Sequence, residues 1–165
     1  MLILDSNLWI HSFTIGDGYP DDCIERLIDH RATSAVNAYI YREVVENIDD
    51  NRDIPRSERD DAIHRFSRLI TDCPKVENCT QQAIERMDLE AERDATKTQM
   101  LGDALEIQPK DVPVFALAYH NRDENPTIYT DDESFAALVP QEYGFSQISI
   151  EHVPVSWERV SQTVE

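Results

Sequence analysis

Leu2-Ile3-Leu4 is a continuously apolar run that stops at Asp5, the pattern of a short strand buried on both faces in a parallel sheet. A turn-rich stretch, Gly16-Asp17-Gly18-Tyr19-Pro20, follows. Cys23, Ile24, Leu27 and Ile28 then recur at helical spacing after the acidic pair Asp21-Asp22, which predicts a first helix. Thr33 to Ala38 reads as a second short strand. Beyond it Ile40, Val44, Val45 and Ile48 mark one face of a second helix, with Glu43 at the border of that face. Ser57 followed by Glu58, Arg59 and Asp60 resembles a capping start, and Ala62, Ile63, Phe66, Leu69 and Ile70 give a third helix its apolar stripe.

After Pro74, Val76 to Cys79 reads as a brief strand. Thr80 then caps a long helical stretch with Ile84, Met87, Ala91, Met100, Leu101, Ala104 and Leu105 on its apolar side. It is expected to bend near Gly102, and its length beyond about 25 residues suggests two helices. Asp111-Val112-Pro113 opens another helix, with Val114 to Tyr119 as its small apolar wall, and Asn121 to Pro126 break it. Thr127-Ile128-Tyr129 is a compact buried strand that delivers Thr130-Asp131-Asp132 at its end. A short helix from about Glu133 to Leu138 and a final strand from Ile148 to Val155 complete the pattern. Strands alternating with helices predict a single α/β domain over residues 1–165, a three-layer α/β/α sandwich around a mostly parallel sheet.

Composition supports a real core, since 41% of residues are hydrophobic and 29% charged, even though the net charge is -18. The 33 acidic residues face 15 basic ones, and Lys75, Lys97 and Lys110 are the lysines. That balance suits a salt-adapted source, because at 1 M salt the screening length is only about 3 Å and self-repulsion costs little. General solubility or a basic partner protein would also account for it. A naked nucleic-acid binder is normally basic, so any contact with a polyanion must lean on metal ions and a few arginines. Cys23, Cys73 and Cys79 form no CxxC pair, so neither a disulfide framework nor a zinc site is indicated. With no signal-like or membrane-spanning apolar run, the expected location is the cytoplasm, away from any membrane.

Candidate chemistry lies in the carboxylates. In open α/β sheets, ligands bind beyond the carboxyl ends of strands, and Asp5 and the Asp131-Asp132 pair both fall at such ends. Clustered carboxylates repel one another until a divalent cation sits among them. Each acid also has a plain structural explanation. Asp5 could form a turn, Glu43 could be a solvated neighbour of Glu46, and Asp111, Asp131 and Asp132 could simply cap helices. His11, His30, His64, His120 and His152 show no ligand-like spacing. Arg42 and Arg122 could touch phosphate, but surface ion pairing is the simpler role, and Trp9 and Trp157 read as packing residues.

The ordered set shifts these odds. Leu4-Asp5-Ser6-Asn7 after the first strand, Glu43 in the second helix, Asp111 opening an Ala- and Leu-rich helix, and Thr130-Asp131-Asp132-Glu133-Ser134-Phe135 together resemble the PIN domain family over nearly the whole chain. The resemblance implies Asp5, Glu43, Asp111 and Asp132 as catalytic acids and Mg²⁺ or Mn²⁺ as cofactor. It assigns the metal to Asp5, Asp111 and Asp132, with Asp131 beside them. Thr130, with Ser6, Asn7 and Ser134, would supply the hydrogen bonds that orient these carboxylates. Many toxin-type members carry a further Asp where Ser134 stands, which weakens a second metal position unless Asp131 or Glu133 compensates.

The implied activity is endonucleolytic hydrolysis of RNA phosphodiester bonds, in the manner of the VapC-like toxins of toxin–antitoxin pairs. An antitoxin protein and a second copy of the chain are the partners such a role admits. Relative to a compact toxin, the excess length lies in an extended helical region around residues 51–108. The competing reading is a PIN-fold binding or scaffold module with weakened catalysis. A phosphatase of the haloacid dehalogenase type would need a second Asp two residues after the first, where this chain has Asn7.

Overall fold

The computed structural model describes residues 1–158; residues 159–165 of the expected domain lie outside the described residues. Strand β1 (Leu2–Leu4) has all three residues buried, and since successive side chains in a strand point to opposite faces, both faces of the sheet are covered there. Helices α1 (Ser6–Thr14) and α8 (Val112–His120) each pack against β1 and against β4 (Thr127–Thr130). In the sheet, β4 lies between β1 and β5 (Ser149–His152), and both pairings are parallel, with Ile3 opposite Ile128 and Ile128 opposite Ile150. Strands β2 (Ser34–Ala35) and β3 (Val76–Glu77) form a second parallel ladder. The backbone N–H of Leu2 donates to Thr33 O at 2.9 Å and sets β2 beside β1. The architecture is α/β with a parallel sheet, as the alternation of strands and helices predicts.

Several elements depart from the sequence reading. Helix α1 occupies a stretch that pattern alone treats as strand exit and turn. Leu8, Trp9, Ile10 and Phe13 are buried, as are Ser6, His11 and Ser12, so the helix has no polar face to create a period. Helix α2 (Gly18–Ile28) begins three residues before the acidic pair. Strand β2 ends early because the Asn37 side chain accepts from Ile40 N–H at 2.9 Å and caps α3 (Ala38–Asp50). Ser57 does not cap α4 (Arg56–Asp72), which starts after Pro55 without a side-chain cap. Strand β3 stops short of Cys79, and β5 is confined to Ser149–His152 rather than Ile148 to Val155.

The expected long helix is three: α5 (Gln81–Arg86), α6 (Leu89–Asp94) and α7 (Thr96–Leu105). Thr80 does cap the first, accepting from Ala83 N–H at 3.1 Å. The breaks fall at Met87 and Ala95, whose ψ angles of 124° and 136° are extended. Gly102 sits inside α7, which runs through it to Leu105. A Cβ there would stand 3.0 Å from Ile107 O, so the glycine permits a close backbone approach. Helix α9 (Glu133–Ala136) closes before Leu138. No helix of the described residues is long and apolar enough to cross a membrane.

Candidate functional site

Asp5 sits where β1 turns into α1, and the turn itself fixes its carboxylate. Oδ1 accepts from Ser6 N–H at 2.8 Å, and Oδ2 accepts from the Thr130 hydroxyl at 2.7 Å. Thr130 ends β4, so a single hydroxyl ties the exits of two neighbouring parallel strands. The same oxygen accepts from Asp132 N–H at 3.1 Å. Asp132 in turn caps α9, its Oδ1 accepting from Ser134 N–H at 2.9 Å and Phe135 N–H at 3.3 Å. That leaves Oδ2 directed elsewhere, 3.5 Å from the Lys110 ammonium.

Asp111 follows a different rule. It ends a 3₁₀ turn, Pro109–Asp111, immediately before α8, and its side chain makes no capping bond. It is 2% exposed, and its Oδ2 is buried with no hydrogen-bond partner. Capping therefore does not account for this residue. A buried polar atom left unpaired is costly and calls for a reason.

Glu43 lies on α3 one turn after Tyr39. Its Oε2 accepts from Tyr39 OH at 3.0 Å and from Arg93 Nη2 at 2.7 Å, while Arg93 Nε also donates to Tyr39 OH at 2.8 Å. Arg93 comes from α6, inside the extended helical region. Asp131 accepts from Asn7 Nδ2 at 3.2 Å through Oδ1. Of the expected orienting residues, Thr130 and Asn7 act through side chains. Ser6 and Ser134 contribute backbone N–H groups, and the Ser6 hydroxyl is buried without a partner.

These acids feel one another's charge. Burial pushes the Asp5 carboxyl up to about 6, the Thr130 hydrogen bond opposes that rise, and Glu43 and Asp131 reinforce it. Burial likewise lifts Asp111 to about 7, with Asp5, Asp132 and Glu43 adding repulsion and Lys110 partly offsetting it. Glu43, Asp131 and Asp132 are thus near enough to perturb the two buried carboxyls. Among the described residues, no three His, Cys, Asp or Glu side chains are gathered tightly enough to hold a metal ion as they stand. The donor set is nonetheless of the type a hard divalent ion takes, oxygen throughout, with one buried oxygen unpaired and neighbouring carboxylates that repel.

Lys110, Arg93 and Tyr39 escaped the sequence reading. Lys110 had a signal, since it directly precedes a predicted site acid; Arg93 and Tyr39 had none beyond Tyr39 lying one helical turn before Glu43. Arg42 pairs with Glu46 at 2.8 Å, and Arg122 lies 4.5 Å from the Tyr119 ring centre, so neither contacts the acids. Trp9 is a core residue, 5.5 Å from Phe66 between ring centres, and Trp157 packs its ring against His11. A cleft of about 570 Å³ between α1, α2 and α4 is lined by none of these carboxylates.

The fold is a PIN-like α/β/α arrangement around a parallel sheet, with Asp5, Asp131 and Asp132 at the strand exits, Glu43 on α3 and Asp111 in the turn before α8. Among solved structures, the chain is similar to the VapBC2 structure from Rickettsia felis bound to a DNA fragment from their promoter. The TM-score is 0.52 and the identity 14%, covering 92% of this chain and 97% of that one. At that identity the likeness speaks for the fold alone. No family model and no curated protein matches the chain.

Proposed function

We propose that the protein is a divalent-metal-dependent endoribonuclease, hydrolysing RNA phosphodiester bonds with Mg²⁺ or Mn²⁺. The observation that carries this reading is Asp111 Oδ2, buried and unpaired, in a carboxyl whose proton affinity the charges of Asp5, Asp132 and Glu43 raise further. Asp5, Asp111 and Asp132 would hold the ion, with Asp131 beside them and Glu43 facing the same cluster. When bound, a divalent ion lowers the pKa of water and offsets negative charge on phosphate oxygens. The chain's own residues do the positioning. Thr130 holds Asp5, the α9 cap uses Asp132 Oδ1 and frees Oδ2, and Tyr39 with Arg93 fixes Glu43 Oε2. The fold neighbour is VapBC2 bound to a DNA fragment from their promoter. By analogy, this reading makes the chain a cytoplasmic toxin countered by an antitoxin protein, with a homodimer as a further assembly.

RNA degradation in high salt with Mn²⁺ or Mg²⁺, compared with EDTA, is the test. Metal-dependent cleavage is expected from the wild type and none from the double variant Asp5→Asn, Asp111→Asn. Cleavage that persists in the double variant would reject the assignment. Thr130→Val should lower Mn²⁺ affinity about 10–100-fold, since it deletes the hydroxyl bonded to Asp5 and Asp132, and unchanged affinity would count against that role.

A further inference from the structure

With a net charge of -18, the protein as a whole repels RNA, so attraction has to be local. Most arginine–acid pairs among the described residues are short-range contacts that leave nothing aimed at the site. Arg42–Glu46 on α3 and Arg56–Asp60, Arg65–Asp61 and Arg68–Asp72 on α4 each join residues four apart within their helix, and Arg31 pairs with Asp29. Among the described ion pairs, two reach a predicted site acid: Arg93 to Glu43 at 2.7 Å and Lys110 to Asp132 at 3.5 Å.

Both cations keep donor capacity in reserve. The Arg93 side chain is 39% exposed and the Lys110 side chain 45%. Arg93 spends Nε on Tyr39 and Nη2 on Glu43, while Nη1 has no partner among the described residues. The ammonium of Lys110 makes one long contact with Asp132, and an ammonium has three donors. The two residues also stand on adjoining elements, because α6, which carries Arg93, packs against the Pro109–Asp111 turn that carries Lys110. The unpaired, buried Asp111 oxygen lies in that same turn.

We propose that Arg93 and Lys110 are the substrate-gripping residues of this site, each contacting a backbone phosphate of a single-stranded RNA drawn across the carboxylate cluster. This rests on the nuclease reading above and adds what that reading lacks, a source of positive charge for the chain flanking the cleaved bond. An arginine fork and an ammonium both suit phosphate, the first by paired donors and the second as a point charge. It also gives the extended helical region a task, since α6 delivers Arg93 to the site. The competing explanation is that the two cations only neutralise Glu43 and Asp132.

Salt dependence separates the two. Each phosphate contact on a single strand contributes a slope of about -0.7 to log K against log salt. A fluorescein-labelled oligouridine is titrated by anisotropy in Mg²⁺ over a series of NaCl concentrations. The parent is Asp5→Asn, which is expected not to cleave it. Adding Arg93→Gln or Lys110→Gln should weaken binding several-fold and flatten the slope by about 0.7 each, or about 1.4 together. Arg93→Lys and Lys110→Arg should restore the slope. Weaker binding with an unchanged slope overturns the proposal, as does failure of the charge-keeping variants to restore it, or absence of RNA binding by the parent. In the wild-type background the Gln variants should raise KM more than they lower kcat. If the wild type cleaves no RNA while the slopes change as expected, the nuclease reading fails and the phosphate grip stands. If cleavage is robust and the slopes are unmoved, the reverse holds.

Discussion

Asp111→Asn is expected to raise the melting temperature of the protein in EDTA near neutral pH while cutting metal-dependent RNA cleavage by more than about 100-fold, beyond the usual loss for residues that only support a metal ligand. The reason is the same for both effects. Asp111 is 2% exposed, its Oδ2 has no partner, and Asp5, Asp132 and Glu43 all push against its charge. Asparagine keeps the shape and removes the charge, which relieves the repulsion and deletes the proposed metal ligand at once. An unsatisfied buried group costs about 1–3 kcal/mol, more when charged. Because the amide remains unpaired, the recovered part lies at the low end. At this chain length each kcal/mol moves the melting temperature by about 2–4 °C, so a rise of a few degrees is expected. Asp60→Asn, at an exposed position on α4, is the control and should change stability by no more than about 0.5 kcal/mol. A fall in melting temperature for Asp111→Asn in EDTA would contradict this account of the site.

Stability of the metal-free protein should also fall as pH rises from about 4 to about 7, opposite to the usual gain from paired carboxylates. An ordinary Asp titrates at 3.8, whereas burial and like charges lift Asp5 to about 6 and Asp111 to about 7. Between those values the folded chain still holds protons that the unfolded chain has released. Raising the pH strips them from the folded state at a cost of up to about 1.4 kcal/mol per pH unit for each group. Well below pH 4 both states are protonated and the penalty is absent; it becomes complete and flat only about a unit above pH 7, once Asp111 has fully ionised in the folded state. Urea unfolding in EDTA isolates the effect as the difference between wild type and the double variant Asp5→Asn, Asp111→Asn. A difference profile that is flat, or that rises with pH, would contradict the shared repulsion. Mn²⁺ should reverse the loss above pH 7, where the carboxylates are free to bind it. A concentration about 100 times Kd adds roughly 2.7 kcal/mol.

The parts of the fold legible in the sequence are those where one physical pattern dominates. Leu2-Ile3-Leu4 had to be buried on both faces, and the strand exits then located Asp5 and Asp132. Pattern alone left Glu43 on α3 and Asp111 before α8 open between a site role and a plain surface or cap role; the resemblance to the PIN domain family singled them out. What stayed hidden depends on contacts between distant residues. Helix α1 is buried nearly all round and so shows no amphipathic period. The breaks at Met87 and Ala95 carry neither glycine nor proline, the usual markers. Arg93 reaches Glu43 across 50 residues of sequence, and no local spacing announces that. For Asp111, the sequence could not separate a helix cap from a ligand; the structure shows no capping bond and an unpaired Oδ2, which removes the cap as its role.

Calorimetric titration of Mn²⁺ into the full chain asks whether residues so far apart in sequence form one cation site. Saturable binding in the wild type, lost when Asp5 and Asp111 are both asparagine but retained in Asp60→Asn, is the predicted outcome. No heat of binding up to millimolar Mn²⁺, or an undiminished signal from the double variant, would show that these carboxylates do not hold a metal.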